Sequence, residues 1–160
     1  MLIYNTLMSL LLYNLNANRT MNMEIFHRTL YIYDQQLIFK HRNYIRKFET
    51  TMPYTHVSKF FLTEGIFFSE VEIVAPGLKE SIKLRFVPKR GARIAKFLID
   101  EKTKAFGGKA TNEDLENIDK IEKYIGRLYE LKKQGKISQK ELYERREIFL
   151  KKIEKNNRLG

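Results

Sequence analysis

Residues 81–98 read SIKLRFVPKRGARIAKFL, and they decide the fold class because the hydrophobic period changes within them. Up to Val87, apolar and basic residues alternate, which is the period-two pattern of a strand with one buried face. From Pro88 the apolar residues recur three and four positions apart, as in a helix, and proline is favoured in a helix's first turn. The pattern predicts that Ile82, Leu84 and Phe86 face a core before the chain becomes helical.

Five further segments upstream have the β-branched and aromatic content of strands. Turn signals separate them, of which Ala75-Pro76-Gly77 is the strongest. Short strands at regular spacing predict an antiparallel meander, sandwich or barrel, so the fold class is α+β. The predicted strands are residues 29–33, 37–41, 44–51, 54–62, 66–74 and 79–87.

A helical tail follows the pair Gly107-Gly108. Its apolar residues step by three and four and form a narrow seam of coiled-coil type. Gly135 can end the first helix in a left-handed conformation, and Ser138 with Glu141 forms a capping box that starts the second. So short a connection predicts a helical hairpin that folds separately from the β domain.

Residues 1–23 are predicted to lie outside the folded domain. Residues 1–15 carry no charge, are shorter than a membrane-spanning helix, and lack the basic start of a signal peptide. Translation would then begin at Met21 or Met23, and the alternative is an interfacial anchor helix. The other predicted units are a β domain (24–104), a linker (105–111) and a helical hairpin (112–157).

The hairpin resembles a SHOCT domain, the short C-terminal domain of many bacterial proteins. That family has a leucine-rich helix followed by Gly-x-Ile-(Ser/Thr)-x-x-Glu and then an aromatic residue or leucine. The resemblance covers residues 118–153 and implies oligomerisation or contact with other macromolecules. The matching residues are Leu128, Leu131, Gly135, Ile137, Ser138, Glu141, Leu142 and Tyr143.

The β domain resembles a bacterial pleckstrin-homology (PH) domain. Residues 52–60 (MPYTHVSKF) are similar to a characteristic strand of that family, and the strand and helix around Pro88 also fit. The family fold has seven antiparallel strands and a capping C-terminal helix. It therefore has one strand more than the six strands predicted for this sequence. Residues 24–28 are the candidate for the seventh, unless the sheet is reduced. The resemblance implies a scaffold for lipid or peptide binding and no catalysis.

The net charge is +11, and the excess of basic residues is spread along the chain. A positive field favours acidic partners, either an anionic membrane surface or nucleic acid. The alternative is a basic protein with no polyanionic ligand. The densest group, the candidate anion-binding cluster, consists of Lys79, Lys83, Arg85, Lys89, Arg90, Arg93 and Lys96.

Common catalytic and metal-binding patterns do not stand out. There is no cysteine, and His27, His41 and His56 are not at metal-ligand spacing. The Gly107-Gly108-Lys109 segment lacks the spacing of a phosphate-binding loop. Glu70 and Glu72 could share one strand face, but solvation explains them better than acid–base catalysis. We therefore expect no enzyme activity, no cofactor, no metal and no small-molecule substrate.

The sequence thus predicts a non-catalytic binding protein of the cytoplasm, with peripheral attachment to the inner membrane face left open. The β domain would bind a protein or an anionic surface. The tail would promote self-association or contact another protein, because so small a hairpin buries little surface alone. The predicted interface residues are Ile118, Ile121, Ile125, Leu128, Leu131, Leu142, Phe149 and Ile153.

Overall fold

The computed structural model describes residues 9–23, 25–78 and 80–157. Within these residues, seven antiparallel strands precede three helices, which confirms the predicted α+β class. A single 3-10 turn, Tyr54–His56, lies between the fourth and fifth strands. The elements are β1 (Leu11–Asn16), β2 (Thr29–Tyr33), β3 (Gln36–Arg42), β4 (Lys47–Pro53), β5 (Lys59–Glu64), β6 (Phe68–Val74), β7 (Ile82–Pro88), α1 (Lys89–Phe106), α2 (Asn112–Lys133) and α3 (Gln139–Asn157).

The strands form two antiparallel sheets, in the orders β1-β2-β3-β4 and β5-β6-β7. Their apolar faces enclose one core, and α1 packs on it through Ile94, Ala95 and Leu98. The helix lies close to β1 because Gly91 has no side chain. A Cβ there would come within 3.0 Å of Leu15.

The prediction that residues 1–23 lie outside the folded domain is wrong for Leu11–Asn16. These residues form β1 and pair with β2, and Leu12 and Leu15 are buried in the core. They form a seventh strand, whereas residues 25–28, the described part of the segment predicted to hold it, form no strand. Residues 1–8 lie outside the described part of the chain. A chain starting at Met21 or Met23 would lack β1.

Two details of the predicted strands are also wrong. Residues 54–62 are not one strand, because Tyr54 turns inward and its hydroxyl donates a 2.5 Å hydrogen bond to the Tyr33 carbonyl. Phe86 does not point with Ile82 and Leu84: it has a φ of 53° at an irregular pairing of β6 with β7. Val87 is buried at this end of the strand instead.

The turn between α2 and α3 has the predicted local structure. Gly135 has a φ of 70°, and its neighbour Lys136 donates a 2.9 Å hydrogen bond to the Leu131 carbonyl, which closes α2. The Ser138 hydroxyl accepts from the Glu141 N–H at 3.1 Å, and the Glu141 carboxylate accepts from the Ser138 N–H at 2.8 Å. The capping box is thereby confirmed.

The tail does not pack as a separate unit, contrary to the prediction. Ile121, Ile125 and Leu150 belong to the same core as the β domain. The buried ammonium group of Lys102 on α1 pairs with the Glu122 carboxylate on α2. The helix α1 also runs to Phe106, so the connection to α2 is residues 107–111 rather than 105–111.

Candidate binding surfaces

The predicted anion-binding cluster is largely neutralised by neighbouring carboxylates. On the two strands, Lys83 lies 3.4 Å from Glu72 and Arg85 lies 3.1 Å from Glu70. These pairs arise because β6 places its two glutamates beside the basic face of β7.

The same holds on α1, where Lys96 pairs with Asp100 at 2.7 Å. Arg93 makes two hydrogen bonds, of 2.6 and 2.7 Å, to the Glu64 carboxylate. Lys89 and Arg90 lie at the start of α1, and Lys79 is outside the described residues. The cluster is therefore not a continuous patch of unpaired cations.

Glu70 and Glu72 act as ion-pair partners on this face. The Ser81 hydroxyl donates a hydrogen bond of 2.5 Å to Glu72, and with Lys83 it lowers the pKa of that carboxyl group. A lowered pKa keeps Glu72 ionised and makes it a poor general acid or base near neutral pH.

Seven of the eight predicted interface residues pack in the hydrophobic clusters of the same chain, and the exception is Ile118. Four of the eight are buried: Ile121, Ile125, Leu128 and Leu142. Leu150, which was not predicted, is buried as well. The other predicted members, Ile118, Leu131, Phe149 and Ile153, are half-buried. The buried part of this seam packs within the monomer, so a second molecule could reach those residues only if the tail came away.

A groove with a volume of about 810 Å³ runs between β5 and α1. The first turn of α2 and the last turn of α3 line its far end. At the near end, the bidentate pair of Arg93 with Glu64 ties α1 to β5. The half-exposed Phe61 lines the groove from the strand side.

β5 is an edge strand, and its free edge borders this groove. The Gly65 N–H donates a 2.8 Å hydrogen bond to the Phe68 carbonyl, so Gly65 and Phe68 are a hydrogen-bonded pair. In an antiparallel sheet such pairs recur at every second residue, and the residues between them direct their backbone groups away from the partner strand. Phe61 and Thr63 therefore direct their backbone groups to β6, whereas Phe60 and Leu62 direct theirs outward. No other strand of the described residues pairs with this edge.

The charges around the groove are balanced. Burial raises the pKa of Glu101, and hydrogen bonding to Glu101 raises the pKa of Lys104. The Thr111 backbone N–H lowers the pKa of Asp114, which lies 3.6 Å from Lys104. Four basic and five acidic side chains line the groove, so it carries no strong field of either sign.

Sequence reasoning missed two features: the free edge of β5 and the tip of the β3–β4 hairpin. At that tip Tyr44 and Ile45 are exposed, and the stem carries Arg42, Arg46 and Lys47. The run RNYIRK contained this signal, because aromatic and aliphatic residues are unusual in a tight turn.

The described residues contain no group of three side chains placed to hold a metal ion. The three histidines lie apart: His27 bonds to the Ala17 carbonyl, His41 stacks on Phe48, and His56 is on the 3-10 turn. None of the described helices is long and apolar enough to cross a membrane.

Comparison with known proteins gives a structural likeness. No family model and no curated protein matches the chain. A solved structure of a DUF1696 family protein with a pleckstrin-homology domain, from Shewanella loihica PV-4, aligns with 56% of this chain and 97% of its own. The identity is 13% and the TM-score is 0.41.

Proposed function

We propose that this protein is a non-catalytic binding module whose β domain takes an extended segment of a partner protein in the groove beside β5. The observation that carries the proposal is the free edge of β5, where Phe60 and Leu62 direct their backbone groups outward. An exposed strand edge is a template for another strand, and proteins normally cover or charge it. In this protein the free edge of β5 borders an open groove instead.

The groove favours an uncharged, partly apolar segment. Main-chain hydrogen bonds to the strand edge would supply affinity, and pockets for alternate side chains would supply specificity. Phe61 offers an apolar contact, and the Lys96 ammonium group lies 5.9 Å from the Phe60 ring centre. Because the charges of the rim are balanced, a strongly charged segment would gain little there.

Selection from a random peptide library displayed on phage, with the full chain as bait, tests this function. Bound peptides should slow amide hydrogen exchange at Phe60 and Leu62. Exchange at Phe61 and Thr63 should not change, because those amides already bond to β6. Peptides that bind without protecting Phe60 and Leu62, or a selection that recovers none, would contradict the proposal.

A pair of alanine variants sharpens the test. Phe61→Ala should weaken the selected peptides, since Phe61 lines the groove. Phe48→Ala is the matched control, because Phe48 is a similarly exposed aromatic residue on β4 and away from the groove.

Self-association is a second candidate function, favoured by the SHOCT resemblance of residues 118–153. Since the seam is buried, the contact would use the outer face of α3, where Ile148 is 69% exposed. Light scattering at increasing concentration should then show a mass above that of the monomer, and Ile148→Ser should restore the monomer. A monomeric mass at all concentrations would rule this candidate out.

A further inference from the structure

The far end of the groove beside β5 is formed by the first turn of α2 and the last turn of α3. A hydrogen bond of 3.3 Å from the Asn117 side-chain nitrogen to the Asn157 side-chain oxygen joins the two helices there. Asn156 and Asn157 are the last two residues that the structure describes, and both line the groove. The chain therefore leaves α3 at the groove itself.

The direction of α3 carries the chain onward over the first turn of α2. The two helices form an antiparallel hairpin across the turn at Gly135, so α3 ends where α2 begins. Glu113 precedes Asn117 by four residues, so it lies on the same helix face and about 6 Å nearer the start of α2. The residue after Asn157 is Arg158, whose side chain is long enough to span that distance.

Although the charges of the whole groove are balanced, the carboxylates at its far end are not fully paired. Lys104 lies between two of them, 3.1 Å from Glu101 and 3.6 Å from Asp114. Glu101 lines the groove and is only 4% exposed, and its Oε2 atom finds no hydrogen-bond donor among the described residues. Glu113 also lines this end and forms no ion pair with any described residue. A further cationic donor would therefore be stabilised here.

The next residues of the chain complement this end of the groove. Residues 158–160 read Arg-Leu-Gly and lie outside the described part of the chain. Arg158 follows the C-terminus of α3, where the helix dipole favours a cation, and its guanidinium offers several N–H donors. Leu159 brings an apolar side chain to a groove that Val57 and Phe97 line. Three residues span at most about 11 Å, which confines them to this end.

Tethering favours this segment over a free peptide of the same composition. A free peptide would bind weakly there, because one exposed ion pair and one apolar contact contribute little. A segment that is already attached beside the site has an effective concentration on the order of millimolar, so a weak contact is enough to fill the site for part of the time. The tail of the same chain is therefore the occupant that this end of the groove meets first.

We propose that Arg158 and Leu159 occupy the far end of the groove, with the Arg158 guanidinium on the Glu113 carboxylate, and that a partner segment has to displace them. This inference rests on the proposed function of the groove, and it adds that the chain limits its own affinity for a partner. The six residues of β5 extend for about 20 Å, so a tail of three residues restricts the groove without closing it.

Nuclear magnetic resonance of the full chain, without any peptide, tests where the tail lies. The Leu159 methyl groups should show nuclear Overhauser contacts to side chains that line the groove, and Glu113→Arg should remove these contacts. Their absence from the native chain would overturn the proposal. Because this measurement needs no peptide, a groove that binds no partner would contradict the proposed function and would leave the position of the tail to be decided by these contacts.

The affinity for peptides selected on the groove tests the competition. Arg158→Glu should raise this affinity by about fivefold, because the apparent affinity is reduced by the fraction of molecules whose groove is occupied. Glu113→Arg should raise it as well. The double variant Arg158→Glu/Glu113→Arg should return it to the native value, since the two charges are exchanged. Equal affinities of the native chain and Arg158→Glu would overturn the proposal.

Two nearby charge reversals are matched controls. Lys155→Glu changes a cation in the last turn of α3, and Glu116→Arg changes an exposed carboxylate of α2 that pairs with Lys120. Neither residue belongs to the described lining of the groove, so both variants should bind the peptides like the native chain. Controls that bind as tightly as Arg158→Glu would overturn the proposal. A native affinity that falls as the protein concentration rises would place the tail of a second copy in the groove and would overturn it too.

Discussion

The guanidinium of Arg146 on α3 donates a 2.9 Å hydrogen bond to the side-chain oxygen of Asn14 on β1. Arg146 is only 4% exposed and lies 5.4 Å from the ring centre of Tyr13 and 5.0 Å from that of Tyr143. Among the described residues, two of its nitrogens, Nε and Nη1, find no hydrogen-bond partner. A buried and only partly satisfied cation therefore joins the tail to the first strand.

Replacement of Arg146 should distinguish its packing from its charge. We expect Arg146→Ala to lower the free energy of unfolding by about 2–3 kcal/mol, because it leaves a cavity against Tyr13 and removes the bond to Asn14. Arg146→Met should lower it by less, since it keeps much of the volume and removes the penalty of burying a charge. Urea denaturation measures both. Equal losses for the two variants would contradict this account.

The shared core predicts that the tail and the β domain unfold together. Calorimetry of the full chain should show one transition, and Ile125→Ala should lower the free energy of unfolding by about 2–4 kcal/mol. The half-exposed Leu115 on the same helix is the control, and Leu115→Ala should change it by about 0.5 kcal/mol or less. Two resolved transitions would show instead that the tail folds separately.

Strand β1 should be essential to the fold. A chain that starts at Met21 lacks Leu12 and Leu15, which are buried in the core, and it leaves β2 as an open edge. We expect this truncation to lose cooperative thermal unfolding, monitored by circular dichroism. Leu12→Ala in the full chain should cost about 2–4 kcal/mol. A truncated chain that melts like the full one would exclude this role for β1.

The sequence allowed prediction of those structural features that depend on contacts between residues close together in the chain. Gly135, Ser138 and Glu141 specify a helix end and a helix start through contacts within a few residues, so their roles could be predicted. The apolar seam could not be assigned to a partner, because a heptad-like pattern is the same whether it packs on a second chain or, as Ile121 and Ile125 do, on its own β domain.

Features that depend on pairing between distant strands were missed. Sequence alone did not place Glu70 and Glu72 beside the cations of β7, because that requires the β6–β7 register. β1 was missed because two consecutive residues of the strand, Leu12 and Tyr13, are both buried. They lie at an irregularity in the pairing with β2, which breaks the alternation of buried and exposed residues expected of a strand. The free edge of β5 likewise follows from sheet order and not from the composition of the strand.

The capping box at the start of α3 should make the stability of the chain depend on pH. Hydrogen bonding from the Ser138 N–H lowers the pKa of Glu141 below its ordinary value of 4.5. The unfolded chain therefore binds this proton at a higher pH than the folded chain does, so the contribution of Glu141 is present above pH 4.5 and is lost as pH falls through the lowered pKa.

Two substitutions separate the charge of this box from its hydrogen bonds. Glu141→Gln keeps the shape of the side chain, so it should destabilise the chain at neutral pH and match the native chain in acid. Ser138→Ala removes the cap itself and should cost about 1 kcal/mol across the whole range. Glu144→Gln is the control, because Glu144 lies on the same helix and only approaches Lys140 at 3.9 Å. Urea denaturation from pH 7 down into the acid range measures the free energy of unfolding of all three variants. If the loss caused by Glu141→Gln does not become smaller as the pH falls, the carboxylate charge does not stabilise this turn.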